Sequence, residues 1–101
     1  MIPVVKYSIR NIKTPEDLNN VISSSPVKNR NKILAFLKSA EEGVIGFTAL
    51  KDPVTKRTYS TGLICYEKDG YSWNNGVVYL FEKYNIKLND EFLKHFGSTG
   101  D

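Results

Sequence analysis

Two runs of strand-forming residues, Val44 to Leu50 and Tyr59 to Glu67, flank the segment Asp52-Pro53-Val54-Thr55-Lys56. Proline presets one φ angle there, and aspartate can accept hydrogen bonds from the backbone that follows it, so the segment reads as a turn. The two runs therefore predict a β-hairpin. This is the long-range pairing that most narrows what the rest of the chain can do.

Elements on either side follow from local signals. Val4 to Arg10 alternates Val5, Tyr7 and Ile9 with polar residues, which predicts a half-buried strand. Thr14-Pro15-Glu16-Asp17 is a helix start: threonine accepts from free amides, proline has no N–H to lose, and two carboxylates face the positive helix end. Leu18, Val21 and Ile22 continue that helix to Ser23-Ser24-Ser25. A second helix is expected from Pro26 to Glu42, with Ile33, Leu34, Leu37 and Ala40 on one stripe and Gly43 as its cap. After the turn at Asp69-Gly70 two signals compete. Trp73, Val77, Leu80, Phe81 and Tyr84 fall at helical spacing behind Ser72 as cap, whereas Asn74-Asn75-Gly76 resembles a hairpin turn. The longer apolar face favours a helix. Asn89, Asp90-Glu91, Lys94-His95 and Gly97 then bracket a last helix.

The expected architecture is α+β: a small antiparallel sheet of about three strands with helices on one face, in the order β-α-α-β-β-α-α. Residues 1–96 are expected to form one domain and 97–101 a loose tail. Leu34, Leu37, Leu63 and Phe81 are expected in its core. A hydrophobic fraction of 41% and a charged fraction of 25% suit a folded domain rather than a disordered one.

Function is constrained mostly by exclusion. Cys65 is the only cysteine, so no intrachain disulfide forms, and its place in an apolar run reads as that of a small buried hydrophobe. The N-terminal residues lack the apolar core of a signal peptide, and no run is long enough to span a membrane. The expectation is a cytoplasmic protein with no membrane contact. His95 is the single histidine and belongs to a helix end, so no metal site, cofactor or catalytic group is expected, and the chain is read as not an enzyme. Ser60-Thr61-Gly62 is not a nucleophile elbow, and Gly43-Val44-Ile45-Gly46 is not a phosphate loop.

Three features could bind a partner. Lys28, Arg30 and Lys32 stand at the start of the second helix while Glu41 and Glu42 stand at its end, the wrong way round for the helix dipole. They could hold an anion, and replacing all three by glutamine should then leave the fold intact or slightly more stable. Lys51, Lys56, Arg57 and Tyr59 form a basic hairpin tip with an aromatic that could stack a base. Most of the tyrosines suit the core, but Tyr71 and Trp73 are candidate interface aromatics.

These features suggest a binding protein that regulates or inhibits another macromolecule. A protein partner is expected first, nucleic acid second, and a twin subunit is open. A sponge for a small phosphorylated ligand at the second helix start is a further alternative. Abundant lysine, asparagine, isoleucine and tyrosine beside three alanines suggests an AT-rich genome, and small domains of this size are common among phage accessory proteins.

Overall fold

The computed structural model describes residues 1–24 and 27–97. In chain order it has β1 (Ile2–Pro3), a 3-10 turn (Ile9–Asn11), α1 (Pro15–Asn19), α2 (Arg30–Ser39), β2 (Glu42–Gly46) and β3 (Leu50–Lys51). There follow β4 (Thr58–Ser60), β5 (Leu63–Lys68), β6 (Tyr71–Asn74), α3 (Asn75–Tyr84) and α4 (Asp90–His95). The α+β class holds. The main sheet has four strands ordered β1-β6-β5-β2, and β3 and β4 form a separate two-stranded ladder.

The expected hairpin is present and split in two. Gly46 of β2 lies opposite Leu63 of β5, and Leu50 of β3 opposite Ser60 of β4, with residues 47–49 and 61–62 leaving both ladders. Val44 to Leu50 is also not the buried strand expected: Ile45 is 53% exposed and Phe47 99%. Gly43 does not cap α2 either. It lies in β2 where the register shifts between Glu42 and Ile45, and a Cβ there would stand 2.8 Å from the carbonyl oxygen of Cys65.

The strand expected over Val4 to Arg10 does not form: Ile9–Asn11 is a 3-10 turn, and the N-terminal strand is Ile2–Pro3, which runs parallel to β6, so the sheet is mixed rather than purely antiparallel. Asn89 explains why the strand stops. Its backbone N–H donates to the Val4 carbonyl at 2.6 Å and its side-chain amide to the Pro3 carbonyl at 3.0 Å. The same side chain accepts from the Glu91 N–H and so caps α4 as expected. One buried asparagine thus ties the N-terminal edge to the last helix.

α1 forms on the expected capping box. The Thr14 hydroxyl accepts from the Asp17 N–H, and the Asp17 carboxylate accepts from the N–H groups of Lys13 and Thr14. Those donors, led by the Lys13 N–H, hold the Asp17 carboxyl below its ordinary range. The helix ends at Asn19, and Ile22 pairs with Ile86 as an isolated bridge. α2 is shorter at both ends than Pro26 to Glu42. Asn29 precedes it at φ 58° and Ala40 follows it in extended backbone; Ser25 and Pro26 lie outside the described residues.

The competition after Asp69-Gly70 resolves into a strand and then a helix. Asn74, not Ser72, is the cap of α3, its side chain accepting from the Val77 N–H. Asn75 reaches back to the split in the hairpin: its carbonyl accepts from the Ile64 N–H, and its amide donates to the Ser60 hydroxyl and the Gly62 carbonyl. Gly76 is buried, and a Cβ there would fall 2.0 Å from the end of the Ile9 side chain. What resembled a turn is a cap, a clamp and a close approach.

One face of the sheet carries the core. Tyr71 and Trp73 of β6 face Phe36 of α2, and Tyr71 also meets Phe92 of α4. Cys65 of β5 is exposed like Glu67, not buried as expected, because it alternates with Tyr66 and so lies on the other face of the sheet. Leu34, Leu37 and Phe81 are buried as expected, and Leu63 packs at the margin. Tyr71 and Trp73 are therefore core residues rather than interface aromatics, at 9% and 6% exposure. The Trp73 indole N–H donates to the Leu37 carbonyl at 3.3 Å, so its polar tip is used inside. The tail residues 98–101 lie outside the described residues.

Candidate functional site

The loop between β3 and β4 is closed by the Asp52 N–H donating to the Arg57 carbonyl and the Lys56 N–H to the Asp52 carbonyl, each at 2.9 Å. Inside it, one oxygen of the Asp52 carboxylate accepts from the N–H groups of Val54 and Thr55 at 2.8 and 3.0 Å. This is the local turn chemistry that the sequence suggested. The remaining partners come from α3. The Tyr79 hydroxyl donates to Asp52 Oδ2 at 2.7 Å, the Lys83 ammonium at 2.9 Å, and the Tyr84 hydroxyl stands 2.7 Å from both oxygens.

Asp52 is 1% exposed, while the Lys83 side chain is 44% exposed. Burial alone pushes the Asp52 carboxyl up. The Thr55 N–H, the two tyrosine hydroxyls and the Lys83 ammonium outweigh it and hold the carboxyl far below the usual carboxylate range. Lys83 is correspondingly held above the ordinary lysine range by its hydrogen bond to Asp52. Burial raises Tyr84, with its bond to Asp52 adding to the effect. A carboxylate that meets five donors and stays ionised has no lone pair to offer a substrate. Its chemistry here is that of a clamp fixing the hairpin tip to α3.

Tyr59 of β4 completes the clamp. Its ring stacks on Tyr79 with centroids 3.8 Å apart and planes within 3°. Burial, then the proximity of Tyr79 and Asp52, pushes its hydroxyl up to about 12. Tyr59 is thus engaged inside rather than presented as a stacking platform for a base. Tyr79, Lys83 and Tyr84 were not singled out as site residues in the sequence. The readable signal was their spacing of four and one on an otherwise apolar helix, which puts a lysine and two hydroxyls on one face.

Outside the clamp the tip is basic. Lys51, Lys56 and Arg57 are exposed, and the Lys56 ammonium donates to the Lys13 carbonyl at 2.6 Å. That contact brings Lys13 beside the tip, and Arg10 reaches Thr48 at 3.4 Å. Among the described residues the ion pairs are Lys38–Glu82 and Lys83–Asp52, so none of these five cations stands in a direct ion pair, although the charge of Lys13 acts on the Asp17 carboxylate.

The other basic group is divided. Arg30 turns away from the start of α2. Its guanidinium donates to the carbonyls of Phe81 and Glu82 at 3.1 and 2.7 Å and lies 5.2 Å from the Phe81 ring centre. Those carbonyls belong to the last turn of α3, whose negative end attracts a cation. Lys28 and Lys32 are exposed, and no side chain caps α2.

A groove of about 450 Å³ lies alongside the clamp between Tyr59, Tyr66, Tyr79, Glu42 and Glu82. Its Asn75 amide, Ser60 hydroxyl and Glu82 carboxylate are bonded within the protein. No group of three or more histidine, cysteine, aspartate or glutamate side chains that could hold a metal ion stands together among the described residues. No described helix is long and apolar enough to cross a membrane. Compared with family models, curated proteins and solved structures, the chain matches none.

Proposed function

We propose that this chain is a non-enzymatic binding protein that regulates or inhibits another macromolecule, docking its clamped hairpin tip on an acidic patch of a partner protein. The observation that carries this reading is the contrast within one loop. The Asp52 carboxylate is spent on two backbone N–H groups of its own loop and three side chains of α3, while Lys51, Lys56 and Arg57 stay exposed without an acidic partner among the described residues. A tip fixed before binding loses little entropy on docking, so its charges contribute more to affinity. Surface cations outside any direct ion pair also steer an acidic partner into place.

Nucleic acid is the second reading, favoured by Arg10 and Lys13 joining the tip cations from another segment. It lacks a stacking aromatic at the tip, since Tyr59 is paired with Tyr79. The test is capture on immobilised protein, with wild type beside the triple variant Lys51→Gln/Lys56→Gln/Arg57→Gln, followed by affinity measurement of what is recovered. The expected result is a protein partner whose affinity falls more than about tenfold in the variant, a loss of roughly 1.4 kcal/mol. A nucleic-acid partner with a log–log salt slope near −0.9 per phosphate contact would move the assignment to the second reading. Equal affinity of variant and wild type would remove the tip from the site.

A further inference from the structure

The groove beside the clamp joins the main sheet to α3. β2 and β5 supply Glu42 and Tyr66, which stand directly opposite each other in the ladder, so their side chains share one face. α3 supplies Tyr79 and Glu82, and Tyr59 stacks on Tyr79. The polar groups of the groove are of two kinds. Asn75, Ser60 and the Tyr79 hydroxyl are bonded within the protein, and Glu82 is paired with Lys38. Glu42 is exposed and has neither an ion pair nor a hydrogen bond among the described residues, and the Tyr66 hydroxyl makes no hydrogen bond among them. These two side chains sense each other: burial and then the Glu42 charge push the Tyr66 hydroxyl up. The groove therefore offers a carboxylate beside aromatic surface, in a chain whose net charge is +3.

We infer that this groove binds a guanidinium group on an aliphatic stem, with Glu42 as its counter-ion and Tyr66 as the ring beside it. A carboxylate takes a guanidinium through two parallel N–H···O bonds, and the planar cation also stacks on an aromatic face, which a compact ammonium cannot do. Attraction of the cation to a tyrosine ring adds to the charge pair. Ala40 and Val78 line the groove with apolar surface for the stem, and its volume of about 450 Å³ suits a ligand the size of one long side chain. Glu42 and Glu82 against Lys38 leave the groove one negative charge in excess. The molecule as a whole is positive and repels cations, so a bound cation is held by the groove and not by the general field.

Amide chemical-shift titration of the full chain with N-acetyl-arginine amide, agmatine and N-acetyl-citrulline amide tests this. Citrulline keeps the shape of arginine and replaces the guanidinium by a neutral urea. The expected result is saturable shifts centred on residues 42, 66 and 79, with a Kd of about 1 mM or tighter for a guanidinium ligand. The citrulline compound should bind at least about tenfold more weakly. Binding of either guanidinium ligand supports the site, and the tighter of the two tells an arginine within a chain from a small free guanidine. Glu42→Gln should lose about the same factor. Glu41→Gln, an exposed neighbour outside the groove, should leave the Kd unchanged, and both variants should keep the wild-type thermal midpoint. Absence of saturation by both guanidinium ligands would overturn the proposal. So would citrulline bound as tightly as arginine, or Glu42→Gln and Glu41→Gln with equal effects.

Discussion

Asp52 joins a local turn to a distant helix through one carboxylate. Three of its partners lie 27, 31 and 32 residues away, and two lie within its own loop. Asp52→Ala leaves two backbone amides and two tyrosine hydroxyls without their acceptor and Lys83 without its counter-ion. Removing one member of a buried pair costs about 3–5 kcal/mol, and the exposure of Lys83 places this case near the lower figure. Asp52→Asn keeps an acceptor for the turn and should recover part of the loss. The sign of the pH dependence follows from the lowered carboxyl. In the unfolded chain Asp52 titrates near 3.9, above its folded value. The unfolded state therefore takes up the proton first as pH falls. The contribution of Asp52 is complete above about pH 5 and is lost as pH falls through 4 toward the folded value. Denaturant unfolding of wild type and Asp52→Asn between pH 7 and 2 should converge at the acid end; curves that stay parallel would mean that the carboxylate is not ionised in the clamp.

At the scale of elements, the sequence was readable where the chemistry is local. The capping box of α1, the cap of α4 and the turn at Asp52 all form from residues within a few positions of one another. It was unreadable where an element takes its meaning from a distant one. The cations at the start of α2 were in conflict only with their own helix; Arg30 is in its place at the end of α3. Stability measurements should therefore reverse the expectation drawn from the dipole. Arg30→Gln should destabilise by about 1–2 kcal/mol, losing a helix-end contact and a cation–π contact. Lys32→Gln, with no such partner to lose, should fall within about 0.5 kcal/mol of wild type. Equal effects of the two would detach Arg30 from α3. Asn74-Asn75-Gly76 was ambiguous for a related reason. Its turn-like residues serve Val77, the β4–β5 corner and Ile9, none of which periodicity reveals. Tyr71 and Trp73 were misplaced because aromatic residues suit cores and interfaces alike. The exposure of Phe47 had no local signal, since it arises where the hairpin changes from one ladder to the other.

At the scale of the molecule, one cluster of buried side chains runs from Val4 to Leu93 and takes residues from most of the elements. Leu37 is at its centre, 1% exposed, beneath Trp73. Leu37→Ala should cost about 2–5 kcal/mol, as buried leucines do. Because the cluster is continuous, the loss should appear as one earlier cooperative transition by both tryptophan fluorescence and far-ultraviolet circular dichroism. Two separated transitions would show that the hairpin end unfolds apart from the rest.

The clamp at Asp52 also separates what a hairpin tip is from what it displays. Val54 gives Asp52 only its backbone N–H, and its side chain, with that of Arg57, is exposed. Thr55 does more, since its hydroxyl accepts from the Arg57 N–H inside the loop. The tip is thus a cassette with two slots: residues 54 and 57 can be rewritten to change the partner while Asp52, Thr55, Tyr79, Lys83 and Tyr84 keep the loop in one shape. A library varied at those two positions should stay folded as a population, and a library varied at the anchor residues should not.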